Sequence, residues 1–302
     1  MYGGILVGEE LKTPRTVDEQ INILREHGMD IEDEEYSVKV LSRINYYRFT
    51  SYALHRKFNN KYICGTSFQN THRLYEFDKK LRNSLIEILE SIEILMKTNI
   101  AYTLSNKYGA DAHTRSELFQ KEELHIKFLK ELEKEVKRNS KEGFVKHHKK
   151  KYNGNFPIWV IVELASFGVI SRMYANLLKE DQRLIARSSI GLDYSLLLGG
   201  LPNLSHVRNI CAHYGKLYNR KINILPKLHK NYNGYNIDKT KIFATILVIK
   251  EFMLKNNSEE WEMFLIKLES LIDSYSDVLD LNLIGFKENW KEILHKKTVA
   301  IK

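Results

Sequence analysis

An apolar side chain recurs every three or four residues over a long stretch of this chain, from Leu74 to Met96. This spacing places the apolar side chains on one face of an α-helix, because the helix turns once every 3.6 residues. Charged residues occupy the opposite face, among them Asp78, Arg82, Glu87 and Glu93. We therefore predict one long amphipathic helix from Phe68 to Leu104, with other helices packed on its apolar face.

Capping residues predict several further helices. Thr16 and Asp33 each precede a helical pattern and can accept a hydrogen bond from its first turn. Residues 114–117 read Thr-Arg-Ser-Glu, the spacing of a capping box, and predict a helix that ends near Arg138. A proline at the first helical position and an almost wholly apolar sequence predict one central helix over residues 157–170.

Glycine and proline are scarce, with 15 and 4 copies among 302 residues. This scarcity excludes collagen and a sandwich of strands joined by Gly- and Pro-rich turns, and we find no alternating strand pattern. The Gly199–Gly200 pair predicts the end of a short helix that begins at Asp193, and Pro202 predicts the start of the next helix.

The predicted fold is therefore all-α. We expect residues 1–60 to form an appended N-terminal helical subdomain and residues 61–302 to form one helical bundle with additional C-terminal helices.

Composition and sorting signals narrow the class of protein. Two cysteines, Cys64 and Cys211, cannot build a disulfide scaffold, and Cys211 is interpreted as a buried core residue. The first ten residues lack the basic and apolar regions of a signal peptide, and no apolar run reaches the ~18 residues of a membrane span. We expect a cytoplasmic protein that has no membrane partner.

The net charge of +9 is concentrated in one region. Residues 216–241 contain seven Lys or Arg against one acidic residue, with tyrosines interspersed. Cations and aromatic rings together suit single-stranded nucleic acid, because the cations meet phosphates and the rings stack on bases. Solvated helix faces and loops would have the same composition, and both readings stay open.

Common cofactor and metal motifs are absent from the sequence. It has no P-loop, no G-x-G-x-x-G, no H-E-x-x-H and no G-x-S-x-G. The His147–His148 pair lacks the spacing of a helical metal site and is interpreted as part of a solvated basic loop. We expect no metal and no cofactor.

Residues 201–220 carry the most informative pattern. On a continuous helix, one stripe would be polar and the neighbouring face would be apolar. The polar stripe contains His206, Asn209, His213, Lys216 and Arg220. The apolar face contains Val207, Cys211, Tyr214 and Leu217.

Histidine and arginine in this pattern suit metal-free cleavage of RNA. An imidazole with an unperturbed pKa near ~6.5 can move a proton at neutral pH, and a guanidinium can hold a phosphate in a bidentate fork. The substrate's own 2′-hydroxyl can serve as nucleophile, which would spare DNA. The residues alone also fit a surface histidine and an arginine that pairs with a carboxylate, and this alternative stays open.

The segment Arg208 to His213 reads Arg-Asn-Ile-Cys-Ala-His and resembles the R-N-x-x-x-H motif of HEPN-superfamily ribonucleases. Further blocks resemble, in family order, the Abi family of bacterial abortive-infection proteins, of the AbiD/AbiF kind. These blocks are Leu41–Arg48, Leu74–Arg82, Ile92–Glu93, Pro157–Trp159, Ser166–Gly168 and Arg208–Arg220.

The resemblance implies a HEPN-type helical bundle that forms a homodimer, with two motifs across one groove. It implies a metal-independent endoribonuclease that acts as an antiphage toxin on single-stranded RNA, with Arg208 and His213 as the catalytic pair and Asn209 in the polar position after the arginine. It also implies a small structured non-coding RNA as a further partner.

Three readings of the function follow. The first is the ribonuclease, in which Lys216, Arg220 and Lys221 would position phosphates and Tyr218 would stack on a base; solvated residues at a helix end would look the same. The second is a non-catalytic protein that holds a structured RNA. The third, a DNA-binding regulator, lacks any helix-turn-helix signature. Glu163, Arg82 and Glu93 are interpreted as orienting residues or as partners in buried ion pairs.

Overall fold

The computed structural model describes residues 13–296. The N-terminal segment on which the expectation of no signal peptide depends lies outside the described residues. No helix among the described residues combines the length and the apolar content that a membrane crossing requires.

The described chain is built from helices and one very short hairpin, which confirms the all-α prediction. In chain order the α-helices are α1 (Val17–Glu26), α2 (Glu34–Leu41), α3 (Tyr46–Thr50), α4 (Phe68–Tyr108), α5 (Glu122–Arg138), α6 (Gly143–Lys151), α7 (Ile158–Leu164), α8 (Phe167–Asn176), α9 (Lys179–Leu184), α10 (Tyr194–Ala212), α11 (Ile242–Asn256), α12 (Ser258–Ser274) and α13 (Trp290–His295). A π-helical segment spans Ile185–Ile190, and strands β1 (Lys57–Phe58) and β2 (Lys61–Tyr62) pair antiparallel.

The first of two compact units extends to Phe77. Thr16 caps α1 with the reciprocal hydrogen bonds of a capping box, and the Asp33 side chain accepts from the backbone of Tyr36 at the start of α2, as predicted. The unit has its own apolar core, in which Phe49 and Phe68 stack with ring centroids 4.2 Å apart. Because Phe68 belongs to this core, the unit extends beyond residue 60.

The second unit runs from Asp78 and contains most of α4 together with α5 to α13. The predicted long helix is confirmed, and it ends at Tyr108, but Asp78, Arg82 and Glu93, which were assigned to its charged face, are buried. Helix α10 packs between α8 and α11, and α11 also packs on α12. Twelve of the fifteen residues of α11 are buried, so this helix lies at the centre of the unit.

The predicted start of α5 at residues 114–117 is wrong. The chain there forms short 3-10 turns, and the α-helix begins only at Glu122, although it ends at Arg138 as predicted. Pairing with the turn after α8 explains the difference: the Gln120 N–H donates to the Asn176 carbonyl at 2.7 Å, and the Leu178 N–H donates to the Leu118 carbonyl at 3.1 Å. This pairing holds Phe119 extended, so the α-helix can begin only after it.

Two further predictions of helix boundaries are corrected. The apolar stretch 157–170 forms two helices, because Ala165 is extended and the Ser166 hydroxyl caps α8 by accepting from the Val169 N–H. The His147–His148 pair lies within helix α6, where the His148 ring stacks on Phe156 with centroids 5.2 Å apart. That contact orders a segment that was interpreted as a loop.

The Gly199–Gly200 pair does not end a helix, since α10 continues through it and through Pro202. The glycines allow close approach instead. A Cβ atom at Gly199 would lie 2.5 Å from the Cβ of Lys227, and one at Gly200 would lie 2.9 Å from Cγ1 of Val248. The absence of side chains therefore lets α10 lie directly against α11 and the segment before it.

We predict that Gly200→Ala lowers the free energy of unfolding by about 1–3 kcal/mol, because the added methyl group overpacks the contact with Val248. The gain in helix propensity, about 1 kcal/mol, opposes this loss. Urea unfolding of the wild type, Gly200→Ala, Val248→Ala and the double variant measures the coupling. A smaller penalty in the Val248→Ala background is expected, and equal penalties in both backgrounds would contradict this packing argument.

His113 makes stability depend on pH. Burial lowers the pKa of its imidazole to about 4, and its Nδ1 has no hydrogen-bond partner among the described residues. The unfolded chain, with a pKa near ~6.5, then binds a proton that the folded chain does not, so stability is lost as the pH falls from about 6.5 towards 4. Between pH 7 and pH 4.5, the free energy of unfolding of His113→Gln should fall by ~2–3 kcal/mol less than that of the wild type, as measured by urea titrations. Equal decreases for the two proteins would refute this assignment.

Candidate functional site

Helix α10 ends at Ala212, inside the motif singled out in the sequence. The N–H of Tyr214 donates to the Cys211 carbonyl at 3.0 Å, and the N–H of Gly215 donates to the Ile210 carbonyl at 2.7 Å. These two bonds form a Schellman motif with Tyr214 in the left-handed region at φ 57°. The predicted continuous helix through residue 220 is therefore wrong, because this cap turns the chain away after His213.

The cap divides the predicted apolar face. Val207, Cys211 and Leu217 are buried, as predicted, and burial raises the pKa of the Cys211 thiol to about 12. Tyr214 does not join them, since its side chain is 70% exposed. The reversal follows from the left-handed backbone, which directs this residue differently from its position on an ideal helix.

Arg208 lies on the last two turns of α10 and is held by α4. Its Nε lies 3.3 Å from Oε2 of Glu93, and its Nη1 donates to Oδ1 of Asn209 at 3.4 Å. The other oxygen of Glu93 lies 3.2 Å from the Lys97 ammonium. Glu93 is nearly buried while the Arg208 side chain is 36% exposed, so the carboxylate holds Nε and part of the arginine side chain stays in contact with solvent.

A surface groove of about 360 Å³ surrounds this ion pair. Helix α4 supplies most of its lining and α10 supplies the rest: Ile86, Glu90, Glu93, Ile94, Lys97, Arg208 and Ala212. Two carboxylates thus balance two cations. An anion that enters the groove must share Arg208 with Glu93.

His213 occupies the C-cap of α10, directly after the groove residue Ala212. Its side chain is exposed, and within residues 13–296 it has neither a hydrogen bond nor an ion pair. His206, two turns earlier, is half-buried, and its pKa is lowered by burial and by the nearby Arg220 charge. Of these two histidines, His213 is thus the more exposed to solvent.

A buried carboxylate fixes the loop that follows His213. Asp78 is fully buried on α4 and accepts from the N–H of Leu217 at 3.1 Å and from the N–H of Tyr218 at 2.7 Å. Arg82, one turn further along α4, forms a buried ion pair with the same carboxylate. The Asp78 side chain therefore connects α4 to the loop.

The predicted RNA-binding residues have different environments. Tyr218 is 1% exposed and its hydroxyl accepts from the Asp280 N–H, so its ring is not available to a base, and this part of the prediction is corrected. Lys216 is half-buried, and burial lowers the pKa of its ammonium group. Arg220 is half-buried and donates to the Lys216 carbonyl at 3.4 Å, while Lys221 is exposed.

Sequence reasoning missed two residues and misplaced a third. Lys97 lines the groove, and it stands one turn after Glu93 on α4, a spacing that the sequence displays. Asp78 lies within the block Leu74–Arg82 but had no role assigned. Glu163 is exposed, and its backbone carbonyl, not its carboxylate, meets the Lys97 ammonium at 3.4 Å.

Comparison with known families decides the identity of the chain. A family model described as Abi-like protein matches residues 39–219. The chain belongs to this Abi-like family. No curated protein and no solved structure matches the sequence.

The predicted Abi resemblance is thus confirmed, whereas HEPN membership stays a prediction. The Abi-like match includes the whole groove, His213 and the Asp78 contacts, and it leaves α11 to α13 outside. In the described part of the chain, no group of three or more His, Cys, Asp or Glu side chains is arranged to hold a metal ion.

We predict that Asp78→Ala destabilises the Abi-like protein by about 3–5 kcal/mol, because it breaks the buried ion pair with Arg82 and removes the acceptor of two backbone N–H groups. In amide hydrogen exchange, the Leu217 and Tyr218 amides should lose their protection. Arg82→Met is the matched control, since it removes the cation and keeps the acceptor. Equal exchange at these amides in wild type and Asp78→Ala would refute the assigned contact.

Proposed function

We propose that this Abi-like protein is a metal-independent endoribonuclease that acts in abortive infection. Family membership suggests the biological setting. The observation that supports the chemistry best is the arrangement at the end of α10, where a partly exposed guanidinium lies in a groove and an exposed imidazole follows at the helix end. The substrate is single-stranded RNA in the cytoplasm.

In this mechanism Arg208 binds the scissile phosphate. Glu93 engages its Nε and Asn209 accepts one N–H of Nη1, so the second N–H of Nη1 and one N–H of Nη2 are the pair that would contact the phosphate oxygens in a bidentate fork. The same contacts stabilise the negative charge that develops as the 2′-oxygen attacks phosphorus. Lys97, on the second oxygen of Glu93, offsets part of the carboxylate charge that the phosphate meets.

His213 is the proton-transfer group. It removes the proton from the 2′-hydroxyl or gives a proton to the departing 5′-oxygen, and one imidazole performs one of these transfers in a single step. We propose that a second copy of the chain supplies the other imidazole, in a homodimer that brings two α10 ends together. Asn209, which accepts from Arg208, helps to orient the guanidinium.

A dependence on the 2′-hydroxyl defines the substrate class. Since the nucleophile belongs to the ribose, DNA of the same sequence would bind but would not be cut. Lys216, Arg220 and Lys221 follow His213 in the chain and are proposed to contact phosphates beyond the cleaved linkage, with a small structured RNA as a further partner.

The charge balance of the groove favours a second candidate function. Glu90 and Glu93 match Lys97 and Arg208, so the groove of one chain carries no excess of positive charge for a phosphate. A protein that holds a structured RNA through the basic segment 216–241, without cutting it, would not need this groove. The two functions differ in whether bound RNA is cleaved.

We expect the purified protein to cleave single-stranded RNA in the presence of EDTA, and His213→Ala to lower the cleavage rate by at least ~100-fold, because general acid–base catalysis contributes at that level. Arg208→Lys should also cleave slowly, since lysine lacks the bidentate fork. Gel analysis of end-labelled RNA measures both, and growth arrest on expression should disappear in parallel.

His295→Ala is the matched control, because this exposed histidine on α13 pairs with Glu269 away from the motif in sequence. It should cleave as the wild type does. Undiminished cleavage by His213→Ala, or cleavage that requires a divalent metal, would count against the ribonuclease. RNA that copurifies uncut with the wild type would support the holding function instead.

A further inference from the structure

Tyr214 has an unusual backbone for its residue type. Six non-glycine residues within the described range have positive φ, and five of them are asparagines: Asn59, Asn60, Asn153, Asn219 and Asn236. Asparagine tolerates the left-handed region, whereas a bulky residue there is an outlier that marks strain. The sixth is Tyr214 at φ 57°, in a position where helix caps favour glycine.

Burial of the aromatic ring does not account for a tyrosine at this position. The Tyr214 side chain is 70% exposed, so most of its surface is in solvent. A core role would require the opposite, as for Tyr218, four residues later, which is 1% exposed. Strained residues that the surrounding structure holds in place cluster at functional sites, and this observation directs attention to the ring itself.

The backbone that carries the ring is held on both sides. On one side, the Schellman hydrogen bonds anchor it to α10, and a Cβ at Gly215 would lie 2.9 Å from Cγ2 of Ile210, which shows how closely the turn packs on the helix. On the other side, the buried Asp78 carboxylate holds the backbone of Leu217 and Tyr218. The ring is thus presented by a rigid turn.

We propose that Tyr214 is a base-stacking residue that selects RNA with an unpaired nucleotide beside the cleaved linkage. This inference rests on the proposed ribonuclease function, because Tyr214 directly follows His213. An exposed aromatic ring offers a flat face to a splayed-out base, and such stacking is typical of proteins that read single-stranded RNA. A base in a duplex is already stacked on its neighbours and cannot use this surface.

The test measures binding separately from cleavage. In the His213→Ala background, Tyr214→Ala should weaken binding of a fluorescent, unstructured RNA oligonucleotide by about 10- to 100-fold. Tyr214→Phe keeps the ring and should bind as the parent does. Tyr214→Asn keeps the left-handed turn without the ring, and it should bind as poorly as Tyr214→Ala.

A scan with abasic nucleotides locates the stacked base. We expect one abasic position in the RNA to weaken its binding to the His213→Ala protein. At that position, the further substitution Tyr214→Ala should cause no additional loss of affinity. The stacking role would be overturned if Tyr214→Ala caused the same loss of RNA affinity at every abasic position, or caused no loss at all. Full binding by Tyr214→Asn would also overturn it. So would a loss that tracks weaker dimerisation in sedimentation experiments, which would assign the ring to a contact between two copies.

The proposed function can fail separately from the stacking role. A wild type that binds RNA through Tyr214 and never cleaves it refutes the ribonuclease and leaves the stacking residue. Normal cleavage by the Tyr214→Ala variant, with His213 intact, refutes the stacking role alone. Absence of RNA binding by the wild type refutes both.

Discussion

The buried carboxylate of Asp78 is the interaction on which the rest of the candidate site depends. It takes an ion pair from Arg82 on its own helix and two backbone hydrogen bonds from the loop after α10. Each hydrogen bond to a charged acceptor contributes about 1.5–3 kcal/mol, and a buried charge without its partners would be strongly unfavourable. One side chain of α4 thereby sets the path of the chain beyond His213.

A second connection between the same helices positions the guanidinium that the proposed function uses. Glu93 on α4 holds Arg208 on α10 and neutralises it in part. The carboxylate limits the attraction of the groove for loose anions and also fixes the guanidinium in one orientation. For the proposed ribonuclease, a guanidinium that is oriented but carries no large excess of charge would favour a phosphate that also makes other contacts over indiscriminate binding of polyanions.

The long helix α4, the caps at Thr16 and Asp33, and the buried Cys211 could be predicted because each depends on a local rule of spacing or capping. The errors arose where distant residues override such rules. A glycine pair is a common signal for the end of a helix, but here Gly199 and Gly200 create room for Lys227 and Val248, which the local sequence does not reveal. Likewise, the capping box at residues 114–117 does not start an α-helix, because Gln120 pairs with Asn176 instead.

The sequence by itself determined the helical class, the family, and the presence of an Arg–Asn…His pattern near the end of one helix, because periodicity and motif order are properties of the chain. Only the tertiary structure decided which of those side chains are accessible. Helical spacing assigned Tyr214 to the apolar face, and the ring of Tyr218 was predicted to meet RNA, but the Schellman turn leaves Tyr214 exposed and Tyr218 is buried. A helical projection assumes an uninterrupted helix, so it shows neither a left-handed cap nor a hydrogen bond between residues far apart in the sequence.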